Sequence, residues 1–197
     1  MPQYLPGDIV ITKWDNKLIS WFTTKCFTPS FNGGHVFLVG EALPDSNDNV
    51  IYEAIGSGVR MGRLSWYSHT PYIVLRHKVN MTDNQLAGLG MAACREASDF
   101  GRKRYDFYLS VSILWQCLKI WFMDCLCFGR PEPVSSRDLS PNGNARFICS
   151  EFVDAVWRLK GLPIVQQDEL PLPCSYILAW KENRLVLVGG NRVKECL

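Results

Sequence analysis

The chain has few histidines and little net charge, and both features limit the kinds of function that the sequence indicates. The 197 residues include only three histidines, and 21 basic against 19 acidic side chains leave a net charge of +2. A charge this small does not favour a nucleic-acid partner. The chain also lacks internal repeats and low-complexity linkers, so a single domain over residues 1–197 is the simplest organisation.

A secretory signal is missing as well, because the start MPQYLPGDIVITKW has no basic stretch followed by an apolar core. We therefore expect a reducing compartment, the cytoplasm, and eight cysteines that are free thiols rather than a disulfide framework. Cys117, Cys125 and Cys127 lie close together, but no second ligand pair or nearby histidine completes a zinc site. No metal and no organic cofactor are expected.

The most apolar segment is residues 107–128, FYLSVSILWQCLKIWFMDCLCF. Lys119 and Asp124 interrupt it, so no uncharged run approaches the roughly 20 residues that cross a bilayer. A narrow polar stripe of Ser112, Gln116 and Lys119 predicts a helix that is buried or covered by a protein partner. Two alternatives stay open: contact with a membrane surface or an acyl chain, and a membrane span.

Apolar patterns between turn residues predict a mixture of strands and helices. Strands are predicted at GDIVITKW, GGHVFLVG, VIYEAI, PYIVLRHKV and RLVLVGG. Helices are predicted over residues 15–27 and 82–100, the second opening with a capping-box pattern of Thr82 and Gln85. The turn residues LPDSNDNV join the second and third strands into a hairpin.

Cys149 is the strongest candidate for chemistry. It lies in RFICSEFVDAVWRLKG, where a short apolar strand gives way to an amphipathic helix with the thiol in its first turn. The unpaired N–H groups and partial positive charge of a helix N-terminus favour thiolate over thiol. A cysteine there can equally be a small core residue. Cys174, in LPLPCSYILAW, is the rival nucleophile, although its two prolines favour packing over an open cleft.

A cysteine hydrolase also needs an imidazole to carry its proton. His35 is the best candidate, because it begins an apolar strand directly after two glycines, where the ring can face a cleft. His69, in the YSHTP loop, has no such setting. His77 lies between Arg76 and Lys78 and is predicted to be a surface residue.

Glu53 is the candidate partner of this imidazole. If PDSN turns the hairpin, residues 35 and 53 lie opposite each other, with Cβ atoms about 5 Å apart. The carboxylate would then fix the ring's tautomer and stabilise imidazolium. A slip of one residue would instead place Glu53 on the other face of the sheet, as an exposed side chain. Glu41 is too close to the turn to compete.

In this order, the motifs resemble those of the circularly permuted NlpC-like cysteine hydrolases of the papain-like fold, in particular the YiiX and YaeF-like branch. The matching strings are PGDIV, LISWFT, GHVFLV with His35, VIYEAIGSGV with Glu53, YDFY, and CSEFV with Cys149. They span most of residues 6–160 in family order. Two features differ: Gly34 replaces the serine of many relatives, and residues 107–128 and the loop before Cys149 are longer than a minimal member needs.

The resemblance implies an α+β, permuted papain-like fold, with an antiparallel sheet packed against helices and the nucleophile at a helix N-terminus. It also implies Cys149 as nucleophile, His35 as base and acid, and Glu53 as the residue that orients the imidazole. Tyr105, in the YDFY motif, resembles the aromatic residue that lines the oxyanion side in relatives, and Tyr108 is its near neighbour. The backbone N–H of Cys149 would be the other oxyanion donor.

The function implied is a thiol hydrolase that cleaves an amide in a peptide or a peptidoglycan-like fragment. The CxxFV string also resembles the lecithin–retinol acyltransferase-like branch, whose members move or hydrolyse acyl chains, and the apolar residues 107–128 would suit such a substrate. That branch typically has a second histidine where this chain has Glu53. A third hypothesis is a silent scaffold used for binding or structure, against which stands the presence of all three site residues.

Overall fold

The computed structural model describes residues 4–13, 33–100, 104–105, 111, 115, 118–119, 146–165 and 171–196. Within them, a six-stranded antiparallel sheet packs against helices, so the predicted α+β class is confirmed. The strands of the sheet are β1 (Ile9–Lys13), β2 (Gly33–Ala42), β3 (Asn49–Ile55), β4 (Gly58–Arg63), β5 (Tyr72–His77) and β8 (Leu185–Asn191). Their spatial order is β4-β3-β2-β1-β5-β8.

Two further strands form a separate parallel pair, β6 (Arg104–Tyr105) and β7 (Arg146–Phe147). The helices are α1 (Asp83–Asp99), α2 (Cys149–Arg158), α3 (Pro173–Lys181) and α4 (Val193–Cys196), and a 3₁₀ helix covers Leu64–Tyr67. All five strands predicted from the sequence are present, as is α1. The helix predicted over residues 15–27 lies outside the described residues.

The N-terminus of α1 has the predicted capping box. The backbone N–H of Gln85 donates to Thr82 Oγ1 over 3.3 Å, and the N–H of Thr82 donates to Gln85 Oε1 over 2.9 Å. These two hydrogen bonds give partners to two backbone N–H groups that the start of a helix otherwise leaves unpaired. The boundary therefore follows from local chemistry alone.

The sheet separates two apolar clusters. Alternate residues of its strands, among them Ile11, Val36 and Tyr52, pack with α1 and α2 into the main core. The residues between them, including Phe37 and Ile51, form a smaller cluster on the other face. Because side chains alternate along a strand, His35 and Glu53 project from the face of this smaller cluster.

Strands β2 and β3 pair over only part of their length among the described residues. Their pairs run from Leu38 with Tyr52 to Ala42 with Asn49. The first residues of β2 pair with β1 instead, and the last residues of β3, from Glu53 to Ile55, pair with β4. The sheet therefore opens between the two strands at the end that carries His35 and Glu53.

Close backbone packing fixes the helices against the sheet. A Cβ atom at Gly90 of α1 would lie 1.7 Å from the carbonyl oxygen of Pro6, so only glycine fits there. Gly7 has a φ of +88°, and its Cα faces the indole of Trp157, which is 1% exposed on α2. The segment Pro6–Gly7, just before β1, is thus packed closely against both α1 and α2.

Four residues of the apolar segment 107–128 are described, and all four are helical: Val111, Trp115, Leu118 and Lys119. Val111 and Trp115 are 62% and 58% exposed. The prediction of burial within the domain is therefore wrong for these two residues, and cover by a protein partner stays a prediction. None of the helices described in the chain is both long enough and apolar enough to cross a membrane.

Candidate active site

Cys149 is the first residue of α2, as predicted. Ile148 precedes it in an extended conformation, with φ −83° and ψ 165°, and the carboxylate of Glu151 accepts the N–H of Ile148 over 3.0 Å. Because the side chain of Ile148 offers no acceptor, it leaves the first-turn amides uncapped. Cys149 is 7% exposed, so its sulfur lies among these amide dipoles with little competing water.

The first turn of α2 is fixed by two short hydrogen bonds through Ser150. The hydroxyl of Tyr176, on α3, donates to the carbonyl of Ser150 over 2.6 Å. The hydroxyl of Ser150 itself donates to the carbonyl of Pro171 over 2.6 Å. Ser150 is fully buried, so the residue next to Cys149 is held from both sides.

His35 connects Cys149 with Glu53. Its Nε2 lies 2.8 Å from Oε2 of Glu53, which leaves Nδ1 for the hydrogen bond between the imidazole and the thiol of Cys149. The side chain of His35 is 20% exposed, whereas Glu53 is fully buried. The three predicted residues are therefore joined by one chain of hydrogen bonds.

The predicted register of β2 on β3 was wrong, but the prediction that Glu53 lies on the same face of the sheet as His35 was right. The observed pairs Leu38–Tyr52 and Val39–Ile51, if continued, place His35 opposite Ile55 rather than Glu53. The difference of two residues keeps Glu53 on the same face of the sheet, one step along the diagonal. A diagonal neighbour is within reach of a long side chain, and the opening between β2 and β3 leaves room for the contact.

Two partners of Glu53 were missed from the sequence. Oε1 of Glu53 accepts a hydrogen bond from Nε of Arg60 over 2.9 Å and forms an ion pair with its Nη2 at 2.8 Å, and Oε2 accepts a hydrogen bond from the hydroxyl of Tyr67 over 2.5 Å. A signal for Arg60 was present, since Gly56-Ser57 is a two-residue hairpin turn. Counting outward from it pairs Glu53 with Arg60, as observed. Tyr67 lies on a 3₁₀ helix, for which the sequence has no comparable signal.

The charges of the site favour a thiolate–imidazolium pair. Burial alone would lower the pKa of His35, but hydrogen bonds and charge interactions with Cys149 and Glu53 raise it to about 9. Burial would raise the pKa of Cys149, but the imidazole and the N–H groups of Val36 and Ser150 lower it below its ordinary value. A thiol with a lowered pKa is nucleophilic at neutral pH.

Cys94 shows what burial does without such partners. It is fully buried on α1 and donates from its Sγ to the carbonyl of Val39 over 3.4 Å. Burial raises the pKa of the Cys94 thiol to about 12. Cys94 is thus an inert core thiol, as its apolar setting predicts. The contrast with Cys149 comes from His35 and the helix N-terminus.

The backbone of Tyr105 lies near that of Cys149. It lies on β6, beside Phe147 of β7, which is two residues before Cys149. Tyr108 lies outside the described residues. The backbone N–H of Cys149 has no partner within its own helix, because the first helical amides never do.

The other histidines and the rival cysteine lie elsewhere. His69 is exposed, and its carbonyl accepts a hydrogen bond from Arg192. The prediction of His77 as a surface residue is wrong: it is 8% exposed, its ring centre lies 4.4 Å from that of Trp157, and burial lowers its pKa to about 4. Cys174 is the second residue of α3 and half-buried.

Among the residues that the structure describes, no group of three or more histidine, cysteine, aspartate or glutamate side chains could hold a metal ion. Cys117, Cys125 and Cys127, for which the sequence predicts no zinc site, lie outside them. The described site brings together a thiol with a lowered pKa, an imidazole with a raised pKa and a buried carboxylate that is hydrogen-bonded to this imidazole. Comparison with protein-family models and with curated proteins gives no match for the chain.

Proposed function

We propose that the protein is a cysteine hydrolase of permuted papain-like fold that cleaves amide bonds, with Cys149 as nucleophile. The observation that carries the proposal is the chain of hydrogen bonds from Cys149 through His35 to the fully buried Glu53. The lowered pKa of the thiol and the raised pKa of the imidazole support it. These are the properties that nucleophilic catalysis by cysteine requires.

In the first half of the reaction, the thiolate of Cys149 attacks the carbonyl carbon of the substrate and forms a C–S bond. The carbonyl becomes an oxyanion, and the backbone N–H of Cys149, at the start of α2, is one donor to it. As the C–N bond breaks, the imidazolium of His35 gives its proton to the leaving amine. A thioester on Cys149 and a neutral imidazole remain.

In the second half, neutral His35 takes a proton from a water molecule while the water oxygen bonds to the thioester carbon. The C–S bond then breaks and releases a carboxylic acid. Sulfur leaves as thiolate beside the imidazolium, so the resting ion pair is restored without a cofactor. Glu53 stays ionised throughout and stabilises the imidazolium at the start and end of the cycle.

A second candidate is transfer or hydrolysis of an acyl chain by the same nucleophile. The observation that favours it is the exposure of two apolar side chains, Val111 and Trp115, both of which are helical. Exposed apolar side chains suit contact with lipid. The thioester step is the same in both reactions, and only the leaving group differs.

The first test is a thiol-directed chloroacetamide probe, with labelling mapped by mass spectrometry at neutral pH. We expect selective labelling of Cys149, reduced about 100-fold in His35→Ala because proton transfer and ion pairing are lost. His69→Ala is the matched control, since that exposed histidine lies in a loop outside the site, and it should label like the parent protein. Unselective labelling of exposed cysteines would support a silent scaffold instead.

The second test separates the two substrate classes. Peptides, peptidoglycan fragments and acyl lipids are each offered to the protein, and the mass added to Cys149 is measured after rapid acid quenching. Amide cleavage predicts acyl-enzyme from peptide-type substrates together with a released amine. Adducts from acyl lipids alone would overturn amide cleavage in favour of the second candidate.

A further inference from the structure

We propose that Arg60 and Tyr67 are positioning residues that hold the Glu53 carboxylate ionised and in one orientation, so that His35 stays paired with Cys149. The proposal rests on the cysteine-hydrolase function and extends the site by two side chains. Neither residue is proposed to touch the substrate. Both would act through Glu53.

Arg60 and Tyr67 contact different oxygens of the Glu53 carboxylate. Arg60 takes Oε1 through Nε at 2.9 Å and Nη2 at 2.8 Å, and Tyr67 shares Oε2 with His35 at 2.5 and 2.8 Å. A carboxylate with donors on both oxygens cannot rotate without breaking charge-assisted hydrogen bonds. The direction in which Oε2 faces His35 is thereby fixed.

Burial makes this support necessary. Glu53 is fully buried, and an isolated carboxylate in such a place would take up a proton. The titratable and charged groups that face it are His35 from β2, Arg60 from β4 and Tyr67 from the 3₁₀ helix, with Cys149 behind the imidazole. Negative and positive charges therefore alternate from sulfur to guanidinium.

The pKa of Glu53 agrees with this geometry. Burial works to raise it, but the hydrogen bonds from His35, Tyr67 and Arg60 outweigh burial and bring the pKa below its ordinary value. The side chain of Arg60 is 46% exposed, so its charge keeps part of its hydration while it neutralises the carboxylate. Glu53 thus remains charged in the acidic range where an unsupported buried carboxyl would be neutral.

Tyr67 is itself held in place by its surroundings. Its ring centre lies 4.6 Å from that of Phe37, in the smaller apolar cluster. Asp48 anchors the 3₁₀ helix by accepting the N–H of Ser65 over 3.0 Å and its hydroxyl over 2.6 Å. The phenol therefore reaches Glu53 from a fixed support.

Arg60 is held from the solvent side. Its guanidinium carbon lies 5.2 Å from the ring centre of Trp66, within the range of a cation–π contact. The indole in turn covers Gly62, where a Cβ atom would come within 2.6 Å of it. Glycine at 62 thus lets the indole lie close to the strand that carries Arg60.

The test is the pH dependence of Cys149 alkylation by iodoacetamide, followed by mass spectrometry of the peptide that contains Cys149, in Tyr67→Phe, Arg60→Met and Arg60→Lys. Matched controls are Tyr52→Phe, whose ring lies in the main core on the other face, and Arg63→Met, an exposed arginine of the same strand. Circular dichroism and thermal unfolding check that each variant folds. Arg60→Lys, which keeps the charge, serves if Arg60→Met does not fold.

We expect the acidic limb of the profile to move up by about one pH unit in Tyr67→Phe and Arg60→Met, and by less in Arg60→Lys. The sign follows because loss of a donor raises the pKa of Glu53, and a neutral Glu53 no longer supports imidazolium. Both controls should match the parent protein. The positioning role would be overturned if Cys149 of the parent protein is hyperreactive and the folded Tyr67 and Arg60 variants have the same pH profile as the parent. An unreactive Cys149 in the parent protein would overturn the hydrolase function itself.

Discussion

Replacing Glu53 by glutamine removes one charge from the site and changes almost no volume. The carboxylate is fully buried and lies 2.8 Å from Nε2 of His35, so its charge acts on the imidazole with little screening by water. The amide can still accept a hydrogen bond from the ring. Glu53→Gln therefore removes the charge at nearly constant volume, while its NH2 group replaces one of the two oxygens that accept hydrogen bonds.

The magnitude follows from the pKa of His35, which Glu53 helps to raise to about 9. An opposite charge at this distance raises an imidazole pKa by about one to three units, and loss of two units would leave His35 near pH 7. At pH 8, the imidazolium fraction would then fall from about 90% to about 10%. The resting thiolate–imidazolium pair should fall in proportion.

Two measurements check this expectation. The ring proton resonances of His35 give its pKa directly by NMR, and the basic limb of the alkylation profile of Cys149 should shift in parallel. Glu41→Gln is the control, because Glu41 lies on β2 near the hairpin turn and was rejected as a partner of His35. A His35 that still titrates near pH 9 in Glu53→Gln would refute the assignment of Glu53 as its charge partner.

Two further predictions concern stability. Gly90→Ala should lower the free energy of unfolding, measured in urea, by about 3 kcal/mol, because its Cβ would lie 1.7 Å from the carbonyl oxygen of Pro6. Gly88→Ala is the control on the same helix. Its Cβ meets nothing within 4 Å, so it should raise the free energy of unfolding by about 1 kcal/mol. Equal effects of the two substitutions would contradict the close packing of α1. Burial lowers the pKa of His77 to about 4 in the folded protein. The stability that the neutral imidazole gives the folded state is therefore complete above pH 6.5, the ordinary pKa of histidine, and is lost as the pH falls towards 4. His77→Phe should therefore gain about 3 kcal/mol relative to the parent protein between pH 7 and pH 4, whereas a flat difference, or the same gain in the exposed His69→Phe, would contradict this.

Local signals predicted those parts of the fold that depend on neighbours in sequence. The capping box of Thr82 and Gln85 and the helix start at Cys149 both form, because a few adjacent residues decide them. The register of β2 on β3 depends on the whole hairpin, including an irregularity between Val39 and Ala42 that no sequence pattern marks. The predicted face survived because the register differed by two residues rather than one.

The misses at the site have a common physical cause. Strand β4, GVRMGR, has two glycines and only two apolar residues, so its composition is a weak indication of a strand and the turn before it is the clearer signal. Its Arg60 was therefore not considered. His77 was predicted to be exposed from the charges of its neighbours, but its ring packs on Trp157, which is far along the chain. Contacts between distant segments decide both cases.

The opening between β2 and β3 has a consequence for the sheet itself. The N–H of Val36, in the part of β2 that β3 does not pair with, donates to the sulfur of Cys149. The sulfur of Cys149 thus takes the place that a carbonyl of a paired strand would have. When the sulfur bonds to carbon, as in alkylation, it becomes a weaker acceptor, and the strand loses part of that hydrogen bond. Chemistry at Cys149 is thereby coupled to the cohesion of the sheet that positions His35.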